Sequence, residues 1–182
     1  MNLKKKMLSM AIGAALAATV GFAGSASAAD EVYIPLISKG FQHQFWQAVK
    51  AGADQAAKDL NVKVTFEGPE TEAMVDKQID MLSAALAKKP AAIGFAALDS
   101  KAATPLLKKA QAAKIPVVTF DSSVESDIPV TFAATDNLAA AGLAADKMAE
   151  LVGKSGEVAV IVHDQTSGTG ISRRDGFLNR MK

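Results

Sequence analysis

The chain is predicted to fold as an α/β domain, a parallel sheet with helices on both faces. Three observations support this class. Strand-like runs alternate with amphipathic helical stretches, the runs AAIGFA and PVVTF are apolar throughout, and Pro-containing breaks fall between elements. Strands that are apolar on both sides are typical of parallel sheets, because helices cover both faces. The regular βαβαβα order therefore indicates a parallel sheet.

The elements are predicted in strict alternation, with the breaks Gly68-Pro69, Lys89-Pro90 and Ile115-Pro116 between them. The strands are predicted at 32–37, 63–67, 91–96, 116–120 and 130–133, and the helices at 45–60, 72–88 and 101–114. Apolar residues recur at helical spacing in each helix, and Asp99 or Ser100 is expected to cap the third.

Residues 1–28 have the three parts of a cleavable export signal. Lys4 to Lys6 form a basic start, residues 7–20 form an apolar stretch, and Ala26-Ser27-Ala28 fits an A-x-A cleavage site. The apolar stretch is short for a membrane anchor and is interrupted by Gly13. We therefore expect cleavage after Ala28 and release into an oxidising compartment, where a chain without Cys forms no disulfides.

The charge of the exported part argues against nucleic acid and anionic membranes as partners. Three of the 20 basic residues lie in 1–28, which leaves 17 basic against 19 acidic residues, a net charge of −2. Nucleic-acid binding requires a basic surface instead. The remaining 154 residues suit one ordinary domain, and we expect a monomer.

The pattern changes after residue 134, which we predict to be the end of the first lobe. Asn137 is expected to cap a helix at 138–152, followed by a strand at 158–162 and a helix at 172–181. Because VAVIV at 158–162 is apolar on both faces, it needs partner strands that the remaining residues do not supply. We therefore expect lobes at 29–134 and 135–182, the second incomplete, in a protein of roughly twice the mature length.

A ligand site is predicted where the first strand ends and the first helix begins. Phe45 and Trp46 open that helix after a polar loop that contains His43 and Gln44. Such positions face the crevice in which open α/β sheets bind ligands, and the aromatic faces suit a ring-shaped ligand. The alternative for Phe45 and Trp46 is that both rings are buried in the core. The alternative for His43 and Gln44 is that they belong to a solvated loop.

Four segments together resemble the periplasmic sugar-binding proteins of ABC transporters, of the ribose- and galactose-binding type. They are FWQAVKAGADQAAKDL, IPVVTFDS, ATDNLAAAGLAADKMAEL and ISRRDGF, and the resemblance covers residues 31–182. It implies two similar lobes joined by a three-stranded hinge that close around a sugar. This chain then contributes the first lobe, one hinge crossing at Thr135-Asp136 and the start of the second lobe.

The resemblance also implies roles for individual residues. Asp121 accepts hydrogen bonds from sugar hydroxyls, Arg173 donates from the second lobe, and Phe45 or Trp46 stacks on the ring. Ser38 supplies a hydroxyl at the end of the first strand, although a longer loop leaves Lys39, Phe41 and Gln42 as alternatives. Many members have Arg after the acid, whereas this chain has Ser122, so the identity of the sugar stays open.

The predicted function is that of a substrate-binding component which captures a monosaccharide or polyol for an ABC permease in the inner membrane. No metal or cofactor is expected, because the chain has two His, no Cys and no H-E-x-x-H, G-x-S-x-G or P-loop motif. The alternatives are an exported α/β enzyme for a small polar substrate and a sugar-binding protein that signals to a chemoreceptor.

Overall fold

A computed structural model describes residues 31–153 and 155–182, so the predicted signal at 1–28 lies outside the described residues. Within the described part, no helix is both long enough and apolar enough to span a membrane. The strands are β1 (Tyr33–Ile37), β2 (Lys63–Glu67), β3 (Ile93–Phe95), β4 (Val117–Phe120) and β5 (Thr131–Ala133). The helices are α1 (Gln44–Leu60), α2 (Val75–Ala87), α3 (Thr104–Ala112), α4 (Asn137–Leu151) and α5 (Gly168–Met181).

The five strands form one parallel sheet in the order β2-β1-β3-β4-β5, which confirms the predicted fold class. The central strand β3 is buried along its whole length. Its Ile93 packs in one apolar cluster with Leu82 of α2, Leu107 of α3 and Val117 of β4. Burying such side chains contributes about 1.5–3 kcal/mol each, which explains why these strands are apolar on both faces.

Two helices are shorter than their sequence patterns predict. Helix α2 begins at Val75 instead of residue 72, and α3 begins at Thr104 instead of residue 101. Before α3, the Asp99 carboxylate accepts hydrogen bonds from the backbone N–H groups of Lys101 and Ala102, at 2.8 and 2.9 Å. Asp99 therefore closes a turn that precedes the helix, because Asp side chains compete for nearby backbone donors.

The prediction of a strand at 158–162 is wrong. These residues form no ladder with any described strand, and Ile161 is 96% exposed. A β-strand exists only through hydrogen bonds to a neighbouring strand, and none of the described strands lies beside this segment. An apolar composition is therefore not enough to form a strand when no neighbouring strand is present.

Helices α4 and α5 pack against each other at close range. A Cβ placed on Gly176 of α5 would collide with the backbone carbonyl of Leu138 in α4, so a side chain there would separate the two helices. Arg180 and Asp146 form a bidentate ion pair across the same two helices, at 2.7 and 3.1 Å. We refer to these two helices as the α4–α5 pair and to residues 31–133 as the α/β unit.

The cap of α4 is Asp136, whereas the sequence pattern predicts Asn137. The Asp136 carboxylate accepts a hydrogen bond from the N–H of Ala139 at 3.0 Å, which stabilises the first turn. Asn137 is the first helical residue and is nearly buried. Its amide is therefore available for a contact with α5, described below.

Candidate functional site

A cavity of about 350 Å³ lies where β1 and β4 end and α5 begins. It is lined by Lys39, His43, Phe45, Trp46, Glu72, Asp121, His163, Thr169 and Arg173. The carboxyl ends of parallel strands open onto the same edge of a sheet, which is where α/β proteins bind ligands. Of the sequence-predicted site residues, this cavity brings together Asp121, Arg173, Phe45, Trp46 and His43.

The aromatic pair divides into a buried ring and an exposed ring. Trp46 is 2% exposed and its ring meets Phe45 edge to face, with centroids 4.8 Å apart and planes at 77°. The indole N–H donates to Glu72 Oε1 at 2.9 Å, so the buried polar group is satisfied. Phe45 is 47% exposed, so its ring is the larger apolar surface available to a ligand.

His43 positions this aromatic pair because it caps α1. Its backbone is extended, and its Nδ1 accepts a hydrogen bond from the N–H of Phe45 at 3.2 Å. A side chain that accepts from the first turn of a helix acts as an N-cap. The lone pair of Nδ1 is thus engaged within the protein.

Asp121 is held in a tight turn directly after β4. Its φ is 57°, and the Ser122 N–H bonds across it to the Phe120 carbonyl at 2.6 Å. Positive φ costs most residues about 1–2 kcal/mol but is tolerated best by Asn and Asp. The turn directs the carboxylate into the cavity instead of along the sheet. Backbone strain of this kind clusters at binding sites.

Lys39 places a buried positive charge beside this carboxylate. Its side chain is only 5% exposed, and Nζ lies 3.3 Å from Asp121 Oδ2 and 3.6 Å from Glu72 Oε2. Nζ also donates to Thr169 Oγ1 of α5 at 3.2 Å. A buried ammonium group requires such partners, since an unpaired charge in the interior is very costly.

One oxygen of the Asp121 carboxylate, Oδ2, has no hydrogen bond to a described residue. Asp121 Oδ2 is the only buried side-chain polar atom in the described part of the chain that has no hydrogen-bond partner. Its ion pair with Lys39 brings the charges to 3.3 Å but lacks hydrogen-bond geometry. Oδ2 has almost no accessible surface, so the Asp121 side chain as a whole, and not this oxygen in particular, lines the cavity.

Arg173 is oriented by α4. Its Nε donates to Asn137 Oδ1 at 2.7 Å, while the Asn137 amide donates to the Thr135 carbonyl at 3.0 Å. Arg173 lines the cavity, and its guanidinium group has four further N–H donors. Asn137 therefore positions Arg173, a role that the interpretation of Asn137 as a helix cap does not include.

The structure does not bring Ser38 and Gln44 to the cavity. Ser38 is fully buried, and its single hydroxyl hydrogen has two carbonyl acceptors within reach, that of Gly40 at 2.5 Å and that of Glu67 at 3.1 Å. Gln44 is exposed at the start of α1 and does not line the cavity. Ser38 therefore has a structural place at the end of β1, and the next residue, Lys39, reaches the cavity instead.

Sequence reasoning does not identify Glu72, His163 and Thr169 as site residues, and it leaves Lys39 only as an alternative. Glu72 lies in the loop before α2, which the sequence pattern assigns to the helix itself. Thr169 lies in a Gly-rich stretch that lacks the motif of a phosphate loop. The sequence does show a polar residue after each strand, which indicates a possible site residue. It does not show which of these side chains point into the cavity.

The loop before α5 is held by Asp164. Burial raises the pKa of this carboxyl, but hydrogen bonds from Ser167 and Thr166 outweigh that effect and lower it from 3.8 to about 2. The Ser167 hydroxyl in turn accepts from the Gly170 N–H at 3.2 Å and caps α5. This loop fixes where Thr169 meets the cavity.

A second cavity, of about 440 Å³, lies between α4, residues 160–163 and α5. Its walls include six Ala, Val and Ile side chains and contain no carboxylate. It shares only His163 and Arg173 with the first cavity. Of these two cavities, only the first is lined by carboxylates. In the described part of the chain, no cluster of three or more His, Asp or Glu side chains is arranged to hold a metal ion.

Similar proteins are found both in sequence and in structure. Residues 34–182 match the periplasmic binding protein domain family. The D-apiose import binding protein of Actinobacillus succinogenes is 27% identical over 150 residues, which are 82% of this chain and 48% of that protein. The D-allose-binding periplasmic protein of Escherichia coli is 26% identical, over 90% of this chain and 55% of that protein.

A carbohydrate transporter solute binding protein from Agrobacterium radiobacter, solved with D-arabinose, is 36% identical with a TM-score of 0.78. The match covers 83% of this chain and 52% of that one. An Agrobacterium vitis ABC transporter solute binding protein with bound D-fucose is 38% identical over 82% of this chain and 53% of that one, with a TM-score of 0.78. The chain thus spans about half the length of the relatives it matches. On this fold and these matches, the chain belongs to the periplasmic binding protein family.

Proposed function

We propose that the protein binds a neutral monosaccharide or a related polyol in the cavity between the α/β unit and the start of α5. The observation that carries the proposal is that one cavity combines the Asp121 carboxylate, the Arg173 guanidinium and the half-exposed Phe45 ring. A sugar hydroxyl is a neutral donor of suitable size. Arg173 supplies donors in the same cavity, and Phe45 offers a flat apolar face.

The charges around the cavity favour a neutral ligand over a sugar acid or a sugar phosphate. The carboxylates of Asp121 and Glu72 are balanced by the cations of Lys39 and Arg173, so the charged wall has no net charge apart from the two histidines. An anionic ligand would meet two carboxylates, one of them largely buried. Relatives solved with D-arabinose and D-fucose, both neutral sugars, support this choice.

We further propose that the protein delivers this ligand to an ABC permease of the inner membrane and is not an enzyme. The support is the family and the names of its relatives, which are import and solute-binding proteins. Export through a signal cleaved near Ala28 would place the protein, as a monomer, in the periplasm. In this proposal residues 29–134 belong to one lobe, and residues 135–182 belong to the other.

A ligand screen tests the proposal directly. Thermal unfolding of the full-length protein is recorded with pentoses, hexoses, sugar alcohols, sugar acids and sugar phosphates, and a ligand at 100 times its Kd should add about 2.7 kcal/mol. Stabilisation by a neutral sugar alone, with that sugar recovered unchanged, is the expected result. No stabilisation by any neutral sugar contradicts the proposal, and conversion of the ligand favours an exported enzyme. Loss of chemotaxis with intact uptake in a deletion strain would favour the chemoreceptor alternative.

A further inference from the structure

The start of α5 and the loop before it contact the α/β unit through hydrogen bonds within the protein itself. The Ser100 N–H donates to the Thr166 carbonyl at 3.1 Å, and the Glu125 N–H in turn donates to the Ser100 carbonyl at 2.8 Å. The hydroxyl of Thr169 lies 3.4 Å from that of Ser122. Ser122 and Thr169 are both almost fully buried, so this contact excludes water.

Lys39 extends the contact into the cavity. One of its three N–H donors is directed to Thr169 Oγ1 at 3.2 Å, while the charge is balanced by Asp121 and Glu72 on its own side. The ammonium group therefore connects a carboxylate of the α/β unit with a hydroxyl of α5. Because the Lys39 side chain is 5% exposed, water does not replace the Thr169 oxygen without opening the contact.

Close approach at this contact also depends on a glycine. A Cβ on Gly168 would lie 2.7 Å from Ser123 Oγ and 3.3 Å from the Ser123 backbone nitrogen. The hydroxyl can rotate away, but the backbone nitrogen can move only if the two parts shift apart. By contrast, a Cβ on Gly142 in α4 would meet nothing within 4 Å.

We propose that Lys39 is a positioning residue which, through Thr169, holds the start of α5 against the α/β unit. The cavity walls are thereby kept together before any ligand binds, and the ligand leaves slowly because this contact must open first. We refer to the contact of the start of α5 with the α/β unit as the docking step, and this step does not depend on the ligand. The effect on dissociation rests on the proposed sugar-binding function.

The docking step is tested without ligand by hydrogen exchange of the Ser100 amide, which bonds to Thr166 only when the contact is closed. Thr169→Val, which keeps the shape but removes the acceptor, and Gly168→Ala are each expected to speed this exchange about tenfold or more. Thr169→Ser and the control Gly142→Ala should exchange at the parent rate. Unchanged exchange in Thr169→Val would overturn the proposal, whatever Gly168→Ala does, because the proposed contact runs through the Thr169 hydroxyl.

The effect on dissociation is tested by stopped-flow fluorescence of Trp46, the one Trp of the chain, which lines the cavity. Lys39→Met and Thr169→Val should each raise the dissociation rate about tenfold and leave the association rate within about threefold. The double variant should be no faster than Lys39→Met alone, since both remove one shared contact. If Lys39→Met weakens binding while Thr169→Val changes neither rate, Lys39 acts on the ligand alone, and the positioning role is wrong. If the parent protein binds no sugar, the proposed function fails, while hydrogen exchange still decides the docking step.

Discussion

Replacing Asp121 with asparagine is the most direct test of the cavity. The substitution removes the negative charge but keeps the shape and an oxygen acceptor. Asparagine also tolerates the positive φ of 57° at this position, so the variant adds no backbone strain of the kind that alanine would add. Any loss of binding then reports the carboxylate itself.

The size of the effect follows from the contacts of the carboxylate. Hydrogen bonds between a neutral donor and a charged acceptor contribute about 1.5–3 kcal/mol, so the affinity for a sugar should fall about tenfold to a hundredfold. The variant should also unfold more easily, because Lys39 loses a partner at 3.3 Å. The gross attraction at this distance is roughly 5 kcal/mol at an effective dielectric constant of 20, and desolvation offsets most of it. We expect a net loss of about 1–3 kcal/mol in the free energy of unfolding.

Isothermal titration calorimetry measures the affinity, and urea unfolding followed by circular dichroism measures the stability. Asp127→Asn is the matched control, since this exposed carboxylate lies in the loop that follows Asp121 and does not line the cavity. A variant at Asp121 that binds as tightly as the parent would refute the assignment. An equal loss in Asp127→Asn would show that net charge, and not the site, is responsible.

Three further predictions concern stability. Asp164 has a pKa lowered to about 2, so its contribution is present above pH 3.8 and is lost as the pH falls towards 2. The full shift corresponds to roughly 2.5 kcal/mol, which solvent screening of this partly exposed group reduces to about 1 kcal/mol. Asp164→Asn should therefore be less stable than the parent at pH 7 and equally stable near pH 2 in urea titrations, and a constant difference would contradict this. Gly176→Ala should cost about 1–3 kcal/mol and expose the α4–α5 pair to proteolysis, because its Cβ meets the Leu138 backbone, whereas Gly142→Ala, with open space, should not. Leu107→Ala in the core should cost about 2–5 kcal/mol by denaturant unfolding, and Leu60→Ala, 71% exposed, should stay within about 0.5 kcal/mol.

The sequence is sufficient to predict the sheet and the residues that follow its strands. Continuous apolar runs such as 93–95 and 117–120 can be buried only between helices, so their pattern determines a parallel sheet. Because the carboxyl ends of parallel strands share one edge, the order of the elements alone places Asp121 and the Phe45–Trp46 pair near one cavity.

The sequence alone does not determine the outcome where a residue depends on partners far along the chain. Residues 158–162 have the composition of a strand, but a ladder requires a neighbour, and the described residues supply none. Asn137 has the pattern of a helix cap, yet Asp136 caps the helix and Asn137 orients Arg173, 36 residues away.

Side-chain direction is likewise decided by tertiary structure. Ser38 and Lys39 are adjacent at the end of β1, and alternation along an extended chain sends one to each side. Which of them reaches the cavity depends on Asp121, Glu72 and Thr169, whose charges and hydroxyl accept a buried ammonium group. Local pattern determines which elements form, because propensity and periodicity act over a few residues. Pairing of polar groups in the interior acts across the whole fold, so only the assembled structure shows that Lys39, and not Ser38, belongs to the site.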